Sequence, residues 1–372
     1  MTLYIGLMSG TSLDGIDGVL VDFASPAGPP IALQSHRHQP FAGPLRSELL
    51  ALNTPGDNEL QRTEIAANAI ARSYAEVVRA LLHGRTDAAR SVRAIGAHGQ
   101  TVRHRPGEFD GTGFTSQLLN GALLAELTGI DVVCDLRRRD VAAGGQGAPL
   151  APALHAALFA APGRSRVVLN LGGIANLSVL GADGSVLGFD CGPGNALLDG
   201  WCQRHRGLPF DDHGRWAATG KVVDPLLTAL LAEPFLALPP PKSTGRDLFN
   251  LTWLDAHVAR HAAGLAAADV QATLAALTVR SAAQHVLRHA AGAELLLVCG
   301  GGAHNAHLMH GLGALLPTMS VATTASAGLP VDQVEGVAFA WLAQRFVERL
   351  PGNIVTVTGA RGARVLGALY PA

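Results

Sequence analysis

Asp190 lies in the run Gly188-Phe189-Asp190-Cys191-Gly192-Pro193-Gly194-Asn195, where a carboxylate precedes a turn of two glycines and a proline. A carboxylate so placed can take a proton from an attacking water or hydroxyl. The same position also suits an Asp that starts a turn or caps a helix. Three glycine-rich stretches offer phosphate chemistry to go with it. Gly10-Thr11-Ser12-Leu13-Asp14-Gly15-Ile16-Asp17 combines backbone N–H groups, which can form an anion-binding concavity, with two hydroxyl donors. Asp14 and Asp17 would repel a bare phosphate but fit one that carries Mg²⁺. Asn170-Leu171-Gly172-Gly173-Ile174-Ala175-Asn176 repeats the theme, and Cys299-Gly300-Gly301-Gly302 follows an apolar run, which suits an adenosine or phosphate contact at a helix N-terminus. Ordinary glycine hairpin loops without a ligand are the competing reading of each stretch taken alone.

The elements that must position these residues can be read from hydrophobic period. Leu3, Ile5 and Leu7 alternate with Tyr4 and Gly6, which predicts a strand, and Val19–Phe23 reads as its partner across the first glycine turn. Val167–Leu180 is again strand, glycine turn, strand. Two such units, far apart in the chain, predict two duplicated α/β domains. Ile31–Phe41, Val92–Ala97 and Ile130–Cys134 read as further strands. Leu60–His83, Leu118–Leu127, Pro149–Phe159, Asn195–Arg206, Ala272–Ala290 and Val334–Leu350 read as helices, and Arg364–Tyr370 as a short terminal element. The strand at Val92–Ala97 empties into His98-Gly99-Gln100-Thr101, and open α/β sheets place ligands at such strand ends. His98, Gln100 and Thr101 can hydrogen-bond a sugar there, or simply form a polar loop. Asp135-Leu136-Arg137-Arg138-Arg139-Asp140 is a basic run at another strand end, beside the Gly144-Gly145-Gln146-Gly147 turn. It reads as a solvated face or as an arginine clamp for a carboxylate.

At 372 residues the chain fits two domains, with a boundary at Ala161-Pro162-Gly163. Apolar content of 48% and charged content of 15% describe a globular protein. A net charge of −1 gives no electrostatic case for nucleic acid or an anionic membrane. No apolar run approaches the ~20 residues of a membrane helix, and the N-terminus has no basic region of the signal-peptide kind. Four scattered cysteines fit a reduced, cytoplasmic protein. The 15 histidines include helix-spaced sets at 257/261 and 304/307/310, read as surface or structural rather than metal-binding. Lys221 and Lys242, the two lysines among 28 basic residues, read as surface residues, and Leu238–Asp247 as a Pro-rich connector.

Four motifs in this order resemble the anhydro-N-acetylmuramic acid kinases, bacterial peptidoglycan-recycling enzymes of the actin–hexokinase superfamily: residues 10–17, 142–150, 170–176 and 188–195. The resemblance runs from Tyr4 to Tyr370. It implies two duplicated actin/hexokinase-like (ribonuclease H-like) domains with an ATP and substrate cleft between them. Residues 1–162 would carry the first phosphate loop and the sugar contacts. Residues 163–372 would carry the second phosphate loop, the catalytic Asp and the adenosine contacts. It implies ATP and Mg²⁺ as cofactors, with Asp14 or a water-mediated contact as the metal's hold, a small-molecule substrate and a homodimer.

By the same resemblance Asp190 is the base and Glu335 lies near the reaction centre, although a glutamate in a first helical turn is also favoured by the dipole. ATP would meet Gly10 to Asp17, Asn170, Gly172, Gly173, Gly192, Gly194 and Gly300 to Gly302. The sugar would meet His98, Gln100, Thr101, Asp135, Arg137, Asp140, Gly145 and Gln146, and the Pro-rich Leu238–Asp247 would be a structured segment near the cleft rather than a connector. The sequence departs from the family pattern at Cys191, where Thr is expected, which takes a hydroxyl away from the neighbourhood of Asp190. Two other readings share the fold: a kinase for a free sugar hydroxyl, and a nucleotide-switched actin-like protein.

Overall fold

The computed structural model describes residues 2–10, 13–23, 31–85, 91–245 and 248–372. Its strands are β1 (Leu3–Met8), β2 (Gly15–Asp22), β3 (Ala32–Pro40), β4 (Val92–Ala97), β5 (Gln100–Pro106), β6 (Gly113–Leu118), β7 (Val132–Cys134), β8 (Arg166–Leu171), β9 (Ile174–Leu180), β10 (Val186–Pro193), β11 (Leu295–Cys299), β12 (Ser320–Thr323) and β13 (Ala368–Tyr370). The chain forms two compact units: residues 1–154 with 333–372, and residues 155–332.

The first unit is built on a sheet of order β13-β7-β4-β1-β2-β3. β1, β2 and β3 run antiparallel, whereas β4 joins β1, and β7 joins β4, in parallel. The second unit has the order β10-β9-β8-β11-β12, with the same antiparallel first three strands and parallel last two. Numbered by the order in which its own strands occur in the chain, the second sheet reads 3-2-1-4-5, and the first reads the same with β13 added as a sixth strand beside β7. This is the duplication expected from the two strand–glycine–strand units, and the ribonuclease H-like topology.

Alternation explains why β1 is buried along its whole length. Leu3, Ile5 and Leu7 face the helix Glu59–Leu82, whose Ile70, Tyr74, Val77, Val78 and Leu81 join them in one core. Each such side chain contributes about 1.5–3 kcal/mol of apolar burial. The opposite face is covered by the helix Val334–Val347. A Cβ added at Gly6 would stand 1.9 Å from the Gly336 carbonyl oxygen, and one at Gly96 1.9 Å from that of Phe339. Glycine in these two strands therefore serves close backbone approach. The second core gathers Val167, Leu169 and Leu171 of β8 with Phe189 and Cys191 of β10 and the helix Ala267–His289.

Two expectations need correction. The segment from Gln333 belongs to the first unit rather than to a C-terminal lobe of residues 163–372, because its helix closes on Gly6 and Gly96 and β13 pairs with β7. The polar stretch after His98 is the strand β5, paired with β6 as a hairpin, so the helix expected from Leu118 begins at Gly121. Residues 138–142, which take in the end of the basic run, form a short helix on which the sequence reading made no statement.

Candidate active site

In the first unit, the ends of β1 and β4 are tied together by buried polar groups. Ser9 Oγ donates to the Gly99 carbonyl at 3.1 Å and lies 2.9 Å from the Tyr74 hydroxyl. His98 is buried, with Nδ1 3.1 Å from the Ser9 carbonyl oxygen. Its Nε2 receives Nε and Nη2 of Arg137 at 3.1 and 3.0 Å. Only a neutral imidazole with its proton on Nδ1 can satisfy both sides. Burial first, and then the Arg137 charge, push the His98 pKa down to about 3. Arg137 Nη1 also donates to the Gly147 carbonyl at 2.8 Å. Gln100, fully buried, donates through Nε2 to the Gly10 carbonyl at 3.1 Å.

Asp140 has no exposed surface. Its Oδ2 accepts from the Gly147 N–H at 2.8 Å, and its Oδ1 from Asn353 Nδ2 at 2.7 Å and Thr358 Oγ1 at 2.8 Å. A Cβ on Gly145 would stand 2.2 Å from that Oδ2. Asp140 therefore shapes the 144–147 turn and ties it to the C-terminal segment. Gln146 is fixed in the same way, through its N–H to the Thr358 carbonyl at 2.7 Å.

Glu335, in the first turn of its helix, reaches solvent while standing among crowded protein atoms. That desolvation raises its carboxyl above the usual glutamate range; Arg137 opposes the rise, and Asp17 and Asp14 add to it. Asp17 Oδ1 is shared between His36 Nε2 at 3.2 Å and His38 Nδ1 at 3.0 Å. Asp14 is exposed. Asp135 and Leu13 hold φ of +56° and +58°, left-handed values that cost energy for non-glycine residues and gather at functional sites. Partial burial raises the Asp135 carboxyl, against the pull of Arg138. Thr101 Oγ1 accepts from Gln117 Nε2 at 3.2 Å.

In the second unit, Asn170, Asn176 and Asp190 are direct cross-strand neighbours on β8, β9 and β10, so three polar side chains share one face. Phe189 and Cys191 point the other way, into the core. Asp190 Oδ2 accepts the Thr244 N–H at 2.8 Å, and the Asp190 N–H donates to the Lys242 carbonyl at 3.1 Å. Asn176 Oδ1 is buried with no hydrogen-bond partner among the described residues. Asn195 Nδ2 donates to the Leu171 carbonyl at 2.8 Å, which pulls the 192–195 turn onto the end of β8. The 3₁₀ turn Gly301–His304 continues β11 at the same sheet end, where a Cβ on Gly300 would stand 2.3 Å from Asn170 Oδ1.

The glycines at this end test whether the site fits a nucleotide phosphate. Neither Gly172, Gly173 nor Gly301 has a left-handed φ. A Cβ added to each would meet nothing closer than 3.6, 3.7 and 3.8 Å, respectively. The fold itself thus makes no demand for glycine at these three places. Close approach of a ligand to the backbone would make that demand, at the carboxyl ends of β8 and β11 where α/β sheets bind phosphates.

The sequence-predicted residues separate accordingly. Gly10 and Asp14 lie in the β1–β2 turn and Gly15 and Asp17 at the start of β2, where Leu13 and Ile16 are core side chains that can offer a ligand only their backbone. Thr11 and Ser12 lie outside the described residues. Asn170, Gly172, Gly173, Gly192, Gly194 and Gly300 to Gly302 come together in the second unit. His98, Gln100 and Asp140, expected against the sugar, are buried and bonded to protein groups instead. Cys191 Sγ, 3.3 Å from the Ala175 carbonyl, faces away from Asp190, so the missing hydroxyl takes nothing from the carboxylate's side of the sheet. Sequence reading missed Asn176, Asn195, Thr244 and the buried Lys242. Rarity was the one signal for Lys242, since the chain has a single other lysine. No group of three His, Cys, Asp or Glu among the described residues could hold a metal. None of the described helices is long and apolar enough to cross a membrane.

Comparison with known proteins gives the family. A family model described as anhydro-N-acetylmuramic acid kinase matches residues 2–372. The chain is 59% identical over 375 residues to the anhydro-N-acetylmuramic acid kinase of Variovorax paradoxus, covering 100% of this chain and 99% of that protein. It is 57% identical over 373 residues to the one from Cupriavidus metallidurans, with 99% and 97% covered. Among solved structures it aligns, at a TM-score of 0.45 and 12% identity, with the activator of the 2-hydroxyisocaproyl-CoA dehydratase from Clostridium difficile with bound ADPNP, covering 95% of this chain and 99% of that one. The chain belongs to the anhydro-N-acetylmuramic acid kinase family.

Proposed function

We propose that the protein opens the 1,6-anhydro ring of anhydro-N-acetylmuramic acid with water and transfers the γ-phosphoryl group of ATP to the freed O6. The products are N-acetylmuramic acid 6-phosphate and ADP, in peptidoglycan recycling. Asp190 accepts a proton from the water as its oxygen bonds to C1 on the face opposite O6. The C1–O6 electron pair passes to O6, which attacks the γ-phosphorus in line, and the bond to the ADP oxygen breaks. Transfer to phosphorus replaces protonation of O6, so one base suffices where glycosidases need an acid and a base. C1 inverts. The observation that carries the reading is Asp190 itself: a partly exposed carboxylate fixed by the Thr244 N–H, on the polar face that it shares with Asn170 and Asn176.

Arg137, charged at every working pH and acting electrostatically on Glu335, is the candidate for the sugar's lactyl carboxylate. Glu335 orients the water or bonds the sugar. Asp135, Thr101, Gly145 and Gln146 contribute to the same pocket, which His98, Gln100 and Asp140 shape from behind. The glycines of residues 172–173, 192–194 and 300–302, with Gly10 to Asp17, hold ATP. Mg²⁺, when bound with the nucleotide, neutralises phosphate charge, and exposed Asp14 can hold it through water. The protein works in the cytoplasm as a homodimer, to be tested by light scattering. The decisive assay follows ADP release with Mg-ATP and 1,6-anhydro-N-acetylmuramic acid, beside N-acetylmuramic acid and N-acetylglucosamine, in ¹⁸O-labelled water. Release with the anhydro sugar alone, with ¹⁸O at C1, supports the reading. Release with a free 6-hydroxyl sugar, or with no sugar, refutes it.

A further inference from the structure

Lys242 is 7% exposed, unusual for a lysine. Its Nζ lies 3.0 Å from the Phe235 carbonyl oxygen, 3.2 Å from that of Leu236 and 3.3 Å from His285 Nε2. An ammonium has three N–H donors and no lone pair. Here it meets three acceptors, the third being an imidazole that burial, and then Lys242 itself, hold neutral with a pKa of about 4. The Phe235 ring centroid lies 4.7 Å from Nζ. These contacts pin one point of the loop after Pro234–Ala237 to that short helix and to the helix Ala267–His289. Beside that point the loop grips Asp190 twice: the Lys242 carbonyl takes its N–H, and the Thr244 N–H meets its carboxylate.

We infer that Lys242 is the positioning residue for Asp190: its buried ammonium seats the 238–245 loop, and the loop in turn aims the carboxylate. The inference rests on the reading of Asp190 as the base. It places Lys242 away from any ligand, so its loss acts on kcat and leaves the binding of ATP and sugar intact. A displacement of ~1 Å at a reacting group costs about 10²-fold in rate.

The ammonium also makes the seat dependent on pH. Asp190 and Cys191 of β10, and His285, Arg288 and His289 of the long helix, are the titratable or charged groups around it. Burial outweighs the others and lowers the Lys242 pKa to about 8. Loss of the proton leaves two donors for three acceptors and loosens the loop. Because the folded pKa lies below the unfolded 10.5, the unfolded chain binds the extra proton between those values. This group's contribution to stability therefore rises with pH in that window, and a fall in turnover there is not unfolding.

The test compares Lys242→Met, Lys242→Gln and Asp190→Asn with the wild type, using nucleotide-induced thermal stabilisation to show that each is folded. Lys242→Met is expected to lose about 10–100-fold in kcat, and Lys242→Gln, which keeps two donors, less, with both KM values held. Wild-type kcat is expected to fall above about pH 8, with KM for ATP flat. Full kcat in folded Lys242→Met overturns the inference, as does a wild-type kcat level well beyond that pH, which decides the matter even if neither Lys242 variant folds. Turnover by Asp190→Asn overturns the reading of the base, and the inference with it. An inactive Asp190→Asn beside a fully active Lys242→Met overturns the inference alone.

Discussion

In the first unit Arg137 rests on Nε2 of His98 and on one carbonyl; in the second Lys242 rests on Nε2 of His285 and on two. Each unit thus seats a cation on an imidazole kept neutral by burial. The cations differ in what they can lose. A guanidinium keeps its charge at every working pH, whereas a buried ammonium can shed its proton. Arg137 is partly exposed beside Glu335 and suits holding a ligand, whereas Lys242 is enclosed and suits holding a backbone. A buried cation therefore need not be a binding group. Its role follows from which of its neighbours reaches the chemistry.

Experiments can break that contrast at several points. The largest effect is expected from Asp190→Asn, a loss of about 10²–10⁴-fold or more in kcat with nucleotide-induced thermal stabilisation intact. Arg137→Ala should raise KM for the sugar about 10–100-fold, the equivalent of a hydrogen bond to a charged group. A fall in kcat at unchanged KM would instead give the two cations the same role. His98→Ala, which leaves Arg137 unbraced, should repeat the Arg137→Ala defect in weaker form, and steady-state kinetics on the two variants will rank them.

Acid should act on both units alike. The His98 and His285 pKa values, about 3 and about 4, lie below the unfolded 6.5. The stability they carry is present above pH 6.5 and is lost as the pH falls through each folded value, which denaturant melts at a series of pH values would follow. The smallest effect is expected from Cys191→Ser: unchanged kcat, because that side chain faces the core and not the Asp190 side of its strand. A clear change in kcat would place position 191 back beside the chemistry.

Alternation and glycine turns made β1, β2, β8 and β9 readable from sequence, because each buries one side chain in two against a helix-covered face. The β5–β6 hairpin was not readable. Of the run Val102-Arg103-His104-Arg105 only Val102 is buried, so no apolar period marks it as a strand. Asp190 could be read because its turn is local. The seats of Arg137 and Lys242 could not, because the histidines on which they rest are 39 and 43 residues away in the chain. His98, Gln100 and Asp140 were found as polar residues at strand ends, but polarity does not distinguish a group that faces a ligand from one that braces a turn. Only burial and hydrogen-bond partners do so.

The helix that covers Gly6 and Gly96 comes from residues 334–347, late in the chain, whereas the second unit is one continuous stretch. On a ribosome adding about 5–20 residues per second, the glycine face of β1 and β4 waits on the order of 10–50 s for its cover after β4 has emerged. The unit that begins first is therefore finished last. Over that interval an uncovered β-sheet face exists in every nascent chain, and chaperone demand should track the delay in making residues 334–347 more than the stability of the finished fold.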